Sequence, residues 1–184
     1  MIKLPSDFET DRYGLHVRLV REEDAEFIVK LRTDPKLGRY IHATDNNVEK
    51  QRKWIRDYKK RENDGMDYYF IYYSNDRPIG VNRIYNIGEN SATTGSWVCD
   101  EGVNPVVSIS TMLIVREILF ERLMIPINFF DVNKQNTRVY KLHLQMGVIV
   151  VSEDSENYYL SQTKESFDKN RKRIVKLFGL NTND

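Results

Sequence analysis

Apolar and polar residues alternate over residues 15–20, as in a half-buried strand, and Arg21-Glu22-Glu23-Asp24 then opens a helix whose first turn is acidic. Ala25, Ile28, Val29 and Leu31 keep helical spacing until Asp34-Pro35, where the residue before proline is pushed out of the helical region. Residues 37–47 are polar and irregular, and residues 48–61 predict a second helix with Trp54, Ile55 and Tyr58 on one side. Its other side, rich in Lys and Arg, reads as a solvated face. The run Tyr68-Tyr69-Phe70-Ile71-Tyr72-Tyr73 predicts a strand, Asn75-Asp76-Arg77-Pro78 a turn, and residues 79–85 the returning strand of a hairpin.

Residues 91–99 predict a fourth strand with Trp97 and Val98 near its end, and residues 108–122 an apolar helix packed against the sheet. A fifth strand at 127–132, a helix at 136–145, the terminator Gly147 and a strand at 148–151 follow. Residues 158–161 add a last strand, and residues 165–178 a terminal amphipathic helix marked by Phe167, Ile174 and Phe178. The class is α/β with a mixed sheet. The apolar face of the terminal helix has two readings, a homodimer that covers it or docking within the chain.

A chain of 184 residues can bury roughly 70% of the surface it exposes unfolded, so one sizeable core is expected. No repeat, low-complexity block or linker divides it. The expectation is one domain over residues 1–184, with a core at about 15–162 and the terminal helix at about 165–178. The balance of 28 basic and 27 acidic residues leaves a formal charge of +1, too weak a field to collect nucleic acid or anionic lipid. No stretch approaches the roughly 20 apolar residues of a membrane span, and the first residues lack the apolar run of a signal peptide, which points to the cytoplasm. Cys99 is the only cysteine, and His16, His42 and His143 have no metal-binding spacing, so no metal site is expected.

Six segments in order carry a family resemblance: Val17-Arg18-Leu19-Val20 with Glu23-Asp24-Ala25, Asp34-Pro35, Gln51-x-x-Trp54-Ile55, Pro78-Ile79-Gly80, Gly95-Ser96-Trp97-Val98, and Asn136 followed by Gly147. Over about residues 17–151 the chain resembles the GNAT superfamily of acetyl-CoA-dependent N-acetyltransferases, and within it the RimJ/RimL-type branch. The resemblance implies a mixed, mostly antiparallel sheet with helices on both faces, its fourth and fifth strands splayed around acetyl-CoA. It implicates the backbone of Trp97, Val98 and Cys99 in holding pantetheine, and Val106, Val107, Ser108, Ile109 and Ser110 in holding the pyrophosphate at a helix N-terminus. The family's glycine-bearing phosphate loop is here Val103-Asn104-Pro105-Val106, in which Pro105 brings no N–H. Asn136 matches a position that bonds pantetheine, with helix capping as its plainer reading.

Seven positions after that Asn the family commonly carries a Tyr that protonates the departing thiolate; this chain has His143, with Tyr140 one turn earlier. Either serves as the candidate acid, against a packing role for His143. Asp100 and Glu101 are weaker candidates for the base, and Cys99 reads as a small hydrophobe rather than a nucleophile. Arg39, Tyr40, His42, Arg83 and Tyr85 offer donors to a polar acceptor. The resemblance thus implies acetyl transfer to a primary amine, such as that of an amino-sugar nucleotide. Protein N-terminal acetylation and a catalytically silent binding module are the alternatives.

Overall fold

The computed structural model describes residues 2–41, 43–180 and 182. The chain opens with β1 (Glu9–Arg12) and β2 (Leu15–Leu19), joined through Tyr13 and Gly14 at φ 55° and 73°, the positive values a tight two-residue hairpin turn requires. β1 is absent from the sequence reading because Glu-Thr-Asp-Arg has no apolar member to alternate. A 3-10 turn (Glu22–Asp24) leads into α1 (Ala25–Thr33), and Asp34 leaves the helix with ψ 125° ahead of Pro35. Asp34 then accepts from the backbone N–H groups of Lys36 and Leu37, which starts the segment leading to α2.

Asn47 caps α2 (Val48–Asn63) by accepting from Lys50 N–H at 2.9 Å, an arrangement worth about 1 kcal/mol. β3 (Tyr68–Ser74) and β4 (Arg77–Tyr85) meet at Asn75-Asp76, both with positive φ, so Arg77 and Pro78 belong to the returning strand and not to the turn. β5 (Ser91–Cys99) precedes α3 (Pro105–Glu117), which begins earlier than its apolar run because Asn104 caps it. A π-helical turn (Ile118–Arg122) ends that helix. β6 (Ile127–Asn133), α4 (Thr137–Gln145), β7 (Ile149–Glu153), β8 (Asn157–Thr163) and α5 (Lys164–Phe178) complete the chain.

The strands make one eight-stranded sheet in the order β1-β2-β3-β4-β5-β6-β8-β7, antiparallel except where β5 meets β6. β3 shows why its sequence is apolar throughout. Tyr68, Phe70 and Tyr72 point into a core shared with α3 and α5, while Tyr69 and Ile71 point into a second core under α1 and α2. α4 closes a third, smaller cluster over Phe130 and Val132 of β6. Phe167 and Ile174 are fully buried against the α3 side, so the face of α5 read as a dimer surface is covered by the chain's own core. Among the described residues no helix is long and apolar enough to cross a membrane.

Candidate active site

The site begins as an irregularity in β5. Between the pairs Val81–Val98 and Arg83–Gly95 that strand carries one residue more than β4, and Ser96 absorbs the excess at φ 53°. β5 pairs with β6 only from Ser91 to Thr93; beyond that β5 stays with β4 as far as Cys99, and β6 stays with β8 as far as Asn133. The two strands therefore part, and from Thr94 onward β5 turns an edge without a strand partner toward the gap. Gly95 keeps that stretch bare: a Cβ there would lie 3.0 Å from the Tyr85 hydroxyl.

A cavity of about 570 Å³ occupies the gap. Trp97, Arg116, Phe130, Asn136 and His143 line it, together with Arg39, Arg83, Tyr85 and Asp131. A second cavity of about 300 Å³, reaching Asn47, Lys50 and Trp54, shares Arg32, Arg83 and Ser96 with the first. Tyr40 donates to the Gln135 carbonyl at 3.4 Å, so the α1–α2 connection touches the β6–α4 loop across the rim. Arg83 is clasped by Asp67 through two hydrogen bonds and lies over Trp54 and Tyr85 at 5.0 and 4.8 Å. His42 lies outside the described residues.

His143 is 4% exposed, its ring set between Phe130 (centroids 4.6 Å apart) and Trp97 (6.1 Å). Its Nδ1 is 3.0 Å from Nη2 of Arg116. A guanidinium only donates, so Nδ1 accepts and the ring proton sits on Nε2. Burial and the neighbouring cation hold the imidazole pKa well below its usual 6.5, so His143 is neutral at working pH. It has no imidazolium proton to give. Tyr140 stacks on Tyr158 with centroids 4.2 Å apart and does not line the cavity.

Asn136 lines the cavity and makes no side-chain cap, which leaves its amide free for a ligand. Trp97 also lines it, its Nε1–H donating to Thr111 Oγ1 at 2.9 Å. Val98 is buried under α1 and α2, and Cys99 faces α3, its sulfur accepting from the Ser108 hydroxyl at 3.4 Å. Burial pushes the Cys99 thiol up, which leaves no thiolate to attack a thioester. At the N-terminus of α3 the Val106 N–H is taken by Asn104 Oδ1 and the Ser108 N–H by the Asn104 carbonyl. Val107 N–H has no acceptor among the described residues. Ile109 and Ser110 are buried, and the Ser110 hydroxyl turns back to the Val106 carbonyl.

Asp100 is held by Lys30 at 3.2 Å and Arg77 at 2.9 Å; although burial alone would raise it, those partners bring its pKa below the usual value, and a weaker base results. Glu101 pairs with Lys36 on the surface. The carboxylates that do reach the cavity are Asp131 and Glu156, neither of which the sequence singles out. Arg116 is equally unheralded, apart from being a cation within the apolar run of α3. Among the described residues no group of His, Cys, Asp and Glu is arranged to hold a metal ion.

The sequence model of the acetyltransferase (GNAT) domain matches residues 15–149, which is most of the chain. The chain belongs to the GNAT acetyltransferases. This GNAT chain is 37% identical to apo FdhC, a nucleotide-linked sugar GNAT, with a TM-score of 0.83 over 94% of this chain and 99% of that one. It shares the fold of Mycobacterium smegmatis RimJ in complex with CoA-disulfide at 15% identity, TM-score 0.75, covering 94% of this chain and 93% of that one. It shares the fold, too, of Campylobacter jejuni N-acetyltransferase PseH in complex with acetyl coenzyme A, at 22% identity and TM-score 0.62 over 80% and 99%. No curated protein sequence matches it. The GNAT chain is thus an N-acetyltransferase with a mixed sheet parted at β5 and β6.

Proposed function

We propose that this enzyme, as one domain of the RimJ/RimL-type architecture, moves an acetyl group from acetyl-CoA to the primary amine of a nucleotide-linked amino sugar. Its likeness to FdhC, 37% identity across nearly the whole of both chains, carries the acceptor class. The paired cavities support it: the larger gives room for the reacting groups, and the smaller adjoins it with a polar wall of Asn47, Gln51 and Lys50, the last paired with Asp45, as an extended polar acceptor requires. Protein N-termini rank second, since RimJ shares the fold alone.

For the donor, the unpaired β5 edge from Thr94 and the Asn136 amide suit pantetheine, and Val107 N–H at the start of α3 is the donor left for the pyrophosphate. The thioester supplies the activated acyl carbon. The amine attacks it directly, β5 backbone N–H groups facing the gap stabilise the charge on the carbonyl oxygen, and Nε2–H of His143 hydrogen-bonds the sulfur as it leaves. Asp131 takes the proton lost by the amine, through water. Turnover of nucleotide-linked amino sugars, spermidine and N-terminal peptides, read as CoA release, tests the acceptor. The sugar nucleotide should lead in kcat/KM by about 10²-fold or more. A peptide that leads instead overturns the assignment.

A further inference from the structure

Arg116 is 1% exposed, yet among the described residues no carboxylate lies within ion-pair distance of it. Other substantially buried arginines are matched: Arg18 by Asp24, Arg83 by Asp67. Glu117 stands next in sequence but points the other way round the helix, where it serves Arg12, Arg171 and the Tyr13 hydroxyl. The Arg116 head group instead meets Nδ1 of His143 at 3.0 Å, the Met146 sulfur at 3.7 Å and the face of Phe130 at 4.8 Å. Burial brings its pKa down to about 9, which still leaves a cation at neutral pH. An uncompensated buried charge is costly, so its retention beside the reaction cavity needs a reason.

We propose that Arg116 is a positioning residue that fixes His143 as the Nε2–H donor and supplies, through that ring, the counter-charge for the thiolate that leaves the acyl donor. The inference rests on the reading that the donor's sulfur meets His143. As the C–N bond forms and the C–S bond breaks, the electron pair stays on sulfur, while the proton lost by the amine goes through water to Asp131 and solvent. Negative charge then appears one imidazole away from a cation that has no carboxylate partner among the described residues. The groups packed on the pair, Trp97 from β5, Phe130 from β6 and Met146 after α4, do not ionise at working pH; Asp131 and Glu156 are the carboxylates of the cavity wall, with Arg32, Arg39 and Arg83 its other cations.

The test titrates the thiol of CoA in its complex with the whole enzyme, following thiolate absorbance, with binding measured separately by calorimetry. Bound CoA should ionise at least about 1 pH unit lower than free CoA, a tenfold gain in thiolate at a given pH. Arg116→Met should abolish the shift and Arg116→Lys restore part of it. In Arg116→Met, kcat should fall about tenfold or more with KM for acetyl-CoA nearly unchanged. Should wild-type enzyme bind CoA and leave its thiol titrating as in solution, the inference fails while the donor assignment stands, whether or not Arg116→Met folds. Failure to bind CoA at all would remove the donor assignment and the inference with it.

Discussion

Acidification reads out the burial of His143 without any substrate. In the folded chain the imidazole stays neutral well below 6.5, whereas in the unfolded chain it takes up a proton near its ordinary value. Unfolding therefore binds a proton once the pH drops below about 6.5, and stability is lost as pH falls, with a slope of about 1.4 kcal/mol per pH unit. One proton bounds the cost of this one ring, which grows for as long as the folded imidazole stays neutral below about pH 6.5. His143→Asn retains a carbonyl oxygen for the Arg116 donor and removes the titration. Urea unfolding of both proteins across about pH 5 to 7.5 gives the difference in their slopes. Asp34, Asp100 and Asp154, whose pKa values are lowered by hydrogen bonds and cations, lose their contributions only at more acid pH and cancel in the comparison. His16, half-buried and paired with Asp11, is common to both proteins. Parallel pH curves for the two would show that His143 is not held neutral, and the tautomer in which Nδ1 accepts from Arg116 would go with it.

Asn136→Ala should weaken acetyl-CoA binding about tenfold, or 1.4 kcal/mol, and change folding stability by less than about 0.5 kcal/mol, because the side chain makes no cap; calorimetry and thermal melts separate the two effects. Phe167→Ala should cost about 3–5 kcal/mol, since the ring is fully buried 5.1 Å from Phe120, and the loss should not depend on protein concentration; a concentration-dependent loss would bring back the dimer reading of α5. Gly147→Ala should cost about 1–3 kcal/mol, because φ is 75° and a Cβ would fall 2.3 Å from Asn170 Nδ2 and 2.5 Å from Ser166 Oγ. A neutral result in a melt would unseat α5 from that turn.

The elements most legible from sequence are those whose local pattern matches their environment. β3 and β4 announce themselves through a continuous apolar run and a turn, and α1 ends where Asp34-Pro35 says it must. β1 is illegible because its Glu-Thr-Asp-Arg is fixed by pairing with β2 and not by burial. α5 shows its stripe in the sequence but not what covers it, since periodicity names a buried face without naming its partner. Spacing by resemblance reaches His143 and Asn136, while Arg116, 27 residues before His143, becomes its partner only when α3 and α4 meet. Asp131 is hidden for another reason: on β6 it sits among alternating residues, and only the parting of the strands turns its side toward a cavity.

That parting has a mechanical side. Strands β1 to β5 and strands β6, β8 and β7 are two parts of the one sheet, stitched along a short parallel seam, Ser91 to Thr93 against Ile127 to Phe129. A donor lying along the open edge would act as the missing thread above the seam, tying the halves together where the protein has left them apart. Occupancy should then show up in those amides between Thr94 and Cys99 that point away from β4, where no strand among the described residues meets them: their hydrogen exchange slows when the thread is present, while the amides turned toward β4 and the seam below, already sewn, keep their rates.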